Sequence, residues 1–364
     1  MRFTFLTGCV LAMTVSAVEA QQFHSPKVNE DRSVTFRLKA PKAKQVQLSL
    51  GGKQQMTKGK NGVWELRVEP MKAGLYEYTF DVDGTRTLDP QNRWVKKWLT
   101  CASMFEVPGE TPLVTEMQDV PHGTLHKEIY RSTALGKSRA MVVYTPPGYA
   151  ENADKAYPVL FLLHGNGDDE TAWTEVGRVH MIADNLIAAD RIQPLVIVMP
   201  YGHPVPLPEG RREPGYYQKN NAAYATDITE AAMPFVEKRY RVKKDASDRS
   251  IAGLSMGGGH ALDTGLLHSD KFSSIGAFSS SAPQEDIKDH FPACVGPEPK
   301  VNANLKHLWI AIGKKDFLLD RNHKFIKALK EQGVKHTYLE TAGGHEWGVW
   351  RDYIEQFLVL AHAP

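Results

Sequence analysis

The chain has 364 residues, of which 42% are hydrophobic and 24% charged, and its formal net charge is +2. That is the composition of a globular protein long enough for two domains. The near balance of charge, with no basic stripe or acidic tail, excludes nucleic acid and an anionic membrane surface as partners.

Residues 1–20 read as a secretory signal peptide. Met1-Arg2 opens a short basic region, an apolar run extends from Phe3 to Val18, and Val18-Glu19-Ala20 before Gln21 is a small-residue cleavage site. The run is short for a membrane anchor and is interrupted by polar residues. A periplasmic or secreted protein, off the membrane after cleavage, is therefore expected. Leu6-Thr7-Gly8-Cys9 resembles a lipoprotein box, but the apolar stretch before it is too short. Only Cys101 and Cys294 remain after cleavage, which is no disulfide framework, and their pairing stays open. No Cys/His cluster has zinc spacing, so neither a metal nor a cofactor is expected.

Residues 21–108 read as all-β. Polar and apolar residues alternate over Ser33 to Leu38, Gln45 to Leu50 and Tyr76 to Val82, and Gly51-Gly52, Asn61-Gly62 and Asp83-Gly84 punctuate them as turns. Short strands with frequent turns predict a small β-sandwich. Residues 109–124 lack helical periodicity, contain Gly109 and Pro112, and read as a linker.

From residue 125 to 364 the pattern changes to α/β. Tyr157 to Leu163, Leu195 to Met199, Ser274 to Phe278 and Leu308 to Ile312 are apolar runs of the kind buried on both faces of a sheet. Helices are predicted between them over Val179 to Ala189, Ala223 to Arg239 and His323 to Gln332. Such alternation implies a mostly parallel sheet covered by helices on both faces.

Gly253-Leu254-Ser255-Met256-Gly257 follows the strand-like Ser250-Ile251-Ala252 and reads G-x-S-x-G, the nucleophile elbow of an α/β hydrolase. A serine hydroxyl is a weak nucleophile and has to be held exposed beside a base. The hydrolase order places an acid and then a histidine downstream. Asp316 lies just past a buried strand, and His345 lies in the flexible Gly343-Gly344-His345 loop. The expected catalytic set is Ser255 as nucleophile, His345 as general base and then acid, and Asp316 as the group that orients the imidazole. Asp320 and Glu346 are rivals for the acid, and spacing favours Asp316. His260, on the helix after the elbow, reads as a packed residue. His164-Gly165-Asn166-Gly167 follows the first long buried strand and reads as the oxyanion loop, with His164 as its support. The oxyanion hole is expected to use the Met256 amide together with that of Asn166 or Gly167.

Taken together, Val143-Tyr144-Thr145-Pro146-Pro147-Gly148-Tyr149, Leu162 to Gly165, Ile251 to Gly258, Gly313 to Asp316 and Gly343 to Trp350 resemble carbohydrate esterase family one, the feruloyl and acetylxylan esterases within the esterase D set. The first domain resembles the immunoglobulin-like early-set modules related to glycogen-binding family 48, on Leu88-Asp89-Pro90-Gln91-Asn92. The resemblance implies a secreted serine carboxylesterase that removes feruloyl or acetyl groups from plant cell-wall polysaccharide such as xylan. Trp347, Trp173 and Tyr201, with Met256, are then expected to line the acyl slot. Trp64, Trp94 and Trp98 are either a glycan platform or packing. Rival readings are an enterochelin-type siderophore esterase, an acyltransferase of mycolyltransferase type, and a carbohydrate-binding protein with a degenerate hydrolase domain.

Overall fold

A computed structural model of the protein describes residues 23–97, 101–206, 214–284 and 286–364. The expected signal peptide and Trp98 lie outside the described residues.

The N-terminal β region consists of two antiparallel sheets. One is built on Val34–Lys39 and Val63–Val68, and the other on Val46–Ser49, Gly74–Val82 and Ala102–Val107. The apolar half of each alternating pattern faces inward. Val34, Phe36, Leu48, Phe80 and Val107 are all fully buried in one cluster.

The larger part is an eight-stranded mixed sheet. Its order is Thr124–Ser132, Lys137–Thr145, Val196–Pro200, Val159–Leu163, Arg249–Leu254, Ser274–Phe278, His307–Gly313 and Thr337–Thr341. The first two strands pair antiparallel, and the last six run parallel to one another. Every residue of Val159–Leu163, Val196–Pro200 and Ser274–Phe278 is buried, because helices cover both faces. Separate apolar clusters lie on the two sides. The Val179–Ala188 helix starts where the periodicity places it. The helix predicted from Ala223 begins earlier, at Tyr216, and passes through a π-turn at Ile228–Ala232 before ending at Arg239. Its first turns carry polar residues that give no apolar stripe. Asn220 is nevertheless buried there, bonding to the Gly202 carbonyl at 3.2 Å and to His260 Nε2 at 3.1 Å.

The two parts share a core. Met104, Leu75 and Trp94 of the β region pack into the same cluster as Trp173, Trp347 and Trp350. Arg178 and the buried Arg351 each donate to Glu106 at 2.7 Å. Trp94 lies under the Arg178 guanidinium, 4.4 Å from it, and donates to the Glu175 carbonyl at 3.1 Å. Trp64 is buried and bonds the Ala40 carbonyl. Both tryptophans are thus packing residues. The connector is pinned as well, since Asn185 Nδ2 donates to the Val114 and Glu116 carbonyls at 2.7 and 2.9 Å. Cys101 and Cys294 are both free.

Deleting residues 21–108 removes the Glu106 carboxylate that pairs Arg351 and uncovers the shared core around Trp347 and Trp350, at a cost of about 1.5–3 kcal/mol for each large apolar side chain left in water. The expected outcome is aggregated, inactive protein, read by size-exclusion chromatography and ester turnover. A soluble truncation with undiminished kcat on small esters would contradict this packing.

Candidate active site

The elbow is made by close approach. A Cβ on Gly253 would lie 2.5 Å from the Gly257 carbonyl carbon, and one on Gly257 would lie 2.4 Å from the Leu163 carbonyl oxygen. Only glycine fits at either position, which is the physical content of the motif. Between them Ser255 has φ 53° and ψ −115°, a strained conformation for any side-chain-bearing residue. It persists because its surroundings hold it: the Ser255 amide donates to the Phe278 carbonyl, and the Ser255 carbonyl accepts from Ser281, both at 2.8 Å. The Met256–Leu267 helix starts immediately after.

Three side chains from separate loops meet here. His345 Nε2 lies 3.0 Å from Ser255 Oγ, and His345 Nδ1 lies 2.8 Å from Asp316 Oδ2. Asp316 is buried, and its other oxygen accepts from the Leu318 amide at 2.8 Å. With Nδ1–H donated to the carboxylate, Nε2 is left as the acceptor facing the serine hydroxyl. The rival carboxylates lie elsewhere: Asp320 is exposed, and Glu346 accepts from the Gly344 amide. His260 is fully buried, stacked on Tyr224 at 4.4 Å, and held neutral by burial.

The Met256 amide sits at the first helical position, where helix geometry supplies no acceptor. The Asn166 amide likewise bonds no acceptor among the described residues. The Gly167 amide is engaged: it donates to His203 Nε2 at 3.1 Å. That corrects one expected donor and leaves Asn166 and Met256. His203 is itself fixed, since Arg139, in a buried ion pair with Asp227, donates to the His203 carbonyl at 3.0 Å. His164 supports the loop by donating Nδ1–H to the Gly165 carbonyl at 2.8 Å and accepting from the Gly202 amide at 2.7 Å. Burial lowers its pKa to about 4, which keeps the ring neutral for both bonds.

Trp173 and Trp347 do not form an acyl slot. Each is 1% exposed, the two rings meet edge to face at 5.2 Å, and Trp173 Nε1 is spent on the Leu163 carbonyl. They are the floor beneath the loops. Tyr201 is partly exposed and lines a cavity of about 480 Å³ with Glu170, His203 and Pro206. A larger cleft of about 940 Å³ lies between the β region and the His345 loop, with Tyr76, Glu77 and Lys96 on one wall and His345 and Glu346 on the other.

Residue-type reasoning missed Asp168, two residues past Asn166. It is buried, one of its oxygens has no partner, and burial raises its pKa to about 7. A carboxyl whose folded pKa is raised contributes stability that is full below its unfolded value near 4 and lost as pH rises through 7. Asp168→Asn is therefore expected to be more stable than the unaltered chain at pH 8.5 by on the order of 4 kcal/mol, read as a higher melting temperature. That advantage should vanish near pH 4. Equal melting temperatures at pH 8.5 would mean the carboxylate finds a partner when it ionises.

The family model described as "Putative esterase" matches residues 132–359, which carry the elbow, Asp316 and His345. The chain belongs to the esterase family. Among its relatives in this family, an endo-1,4-beta-xylanase/feruloyl esterase of Xylanibacter ruminicola is 31% identical over 342 residues. The match covers 91% of this chain and 45% of that protein, so the chain spans less than half the relative's length. A solved ferulic acid esterase is 29% identical, covers 66% of this chain and 98% of its own, and has a TM-score of 0.56. An enterobactin esterase from Shigella flexneri, solved in the presence of enterobactin, is 18% identical with a TM-score of 0.66 and covers 90% of this chain and 92% of its own. At that identity the likeness shows the fold alone, the α/β-hydrolase sheet preceded by β structure.

Proposed function

We propose that this esterase is an exported serine carboxylic ester hydrolase that removes feruloyl or acetyl groups from plant cell-wall polysaccharide. The observation that carries the reading is the Ser255–His345–Asp316 relay, at 3.0 and 2.8 Å, on a strained elbow beside two unengaged amides. In this reading Ser255 Oγ attacks the ester carbonyl while His345 Nε2 takes its proton. The Asn166 and Met256 amides hold the oxyanion, and Asp316 stabilises the imidazolium. His345 then protonates the departing sugar oxygen. Water enters through the same base and releases the acid from the acyl-enzyme. The likeness of the chain to a xylanase/feruloyl esterase over 91% of its length supports a glycan-linked ester as substrate. The N-terminal β region, an early-set module in this reading, shapes the cleft beside His345.

An enterobactin-type substrate is anionic, and the charges of the cleft disfavour it. Glu346 and Asp352 face the cleft in no ion pair among the described residues, while Lys96, Arg351 and Arg191 are already paired with Glu77, Glu106 and Glu355. Methyl ferulate, acetylated xylan and enterobactin, assayed side by side, test the reading. Turnover of the first or second is expected. Hydrolysis confined to enterobactin would overturn the substrate class.

A further inference from the structure

Phe317, directly after the acid of the relay, is 75% exposed and is the one exposed aromatic side chain among the described residues. A large apolar ring left in water costs burial energy that a packing role would recover. Its placement is specific. The Phe317 ring centroid lies 4.5 Å from that of His345, tilted by 49°. The buried Trp350 packs edge-on against the same imidazole at 4.9 Å. His345 is thus held between a core tryptophan and a phenylalanine most of whose surface faces solvent.

We infer that Phe317 is the sugar-binding platform of the site, stacking its free face on the pyranose or furanose ring that carries the scissile ester. The inference rests on the esterase reading above and assigns the leaving-group side of that same site. The imidazole hands its proton to the leaving oxygen, so a ring that touches the imidazole and projects into solvent borders the leaving group. A sugar presents an apolar C–H face of the size of a phenyl ring, and an aromatic platform orients it without a directional hydrogen bond. Trp173 and Trp347 are buried and unable to serve.

The test compares two esters with one acyl group: methyl ferulate, and a feruloylated arabinose-bearing xylo-oligosaccharide. Phe317→Ala is expected to lower kcat/KM on the sugar ester by about fivefold to tenfold, mainly through KM, and to change methyl ferulate by less than about twofold. Phe317→Tyr, which keeps the stacking face, should restore the sugar ester. Equal losses on both esters would make Phe317 an acyl contact or a shield for His345, and would overturn the proposal while leaving the esterase reading intact. Unchanged rates on both would also overturn it. Failure of the unaltered chain to turn over these feruloyl esters and acetylated xylan alike would remove both readings together.

Discussion

Ser255→Ala is expected to lower kcat on p-nitrophenyl acetate by roughly 10⁶-fold, the scale reached when a triad nucleophile is removed. The hydroxyl is the atom His345 Nε2 faces at 3.0 Å, so its removal leaves the imidazole without the group it deprotonates. A small residue above background is expected from the two unengaged amides, which still polarise the carbonyl. The backbone makes a second, opposite prediction at the same position. With φ 53° and ψ −115°, a side-chain-bearing residue pays strain that glycine does not, so Ser255→Gly should unfold later, by about 1–3 kcal/mol, while equally inactive. Rates and melting curves on the three proteins read both effects. An alanine variant with more than a few per cent of the unaltered rate would place the nucleophile elsewhere.

Asp316→Asn is expected to lower kcat by about 10⁴-fold with little change in KM. The asparagine amide donates where the carboxylate accepted, so the imidazole turns to the tautomer with its proton on Nε2. That nitrogen then cannot take the Ser255 proton. Asp320→Asn should be near normal, because Asp320 is exposed on the Leu319–Glu331 helix. Steady-state rates of the two variants on one ester decide between them. A near-normal Asp316→Asn enzyme would assign the orienting role to another group.

The parts of this molecule set by local pattern were legible from residues alone. Val159–Leu163 and Ser274–Phe278 read as buried strands because unbroken apolar runs have no other way to satisfy a two-sided sheet. The elbow read as a site because its glycines are demanded by contacts under 3 Å. Asp316 and His345 followed from their position after strands at the same sheet edge. What stayed hidden depends on contacts between distant segments. The Gly167 amide looks as available as that of Asn166 until His203, 36 residues on, folds over it. Trp347 follows His345 closely in sequence and Trp173 follows the Asn166 loop, but both point into the cluster that joins the β region to the hydrolase sheet. Phe317 carries no motif, and its exposure is visible only once its neighbours are buried. The connector reads as loose because it has no periodicity of its own, and Asn185 supplies its order from another element.

In the proposed mechanism Ser255 carries the acyl group. Rapid quenching in acid during turnover of a feruloyl ester, followed by peptide mass mapping, measures this directly. A feruloyl mass increment is expected on the peptide bearing Gly253-Leu254-Ser255-Met256-Gly257, lost in Ser255→Ala and accumulating as a burst in the unaltered chain. Turnover with no covalent adduct, or an adduct on any other residue, would contradict it.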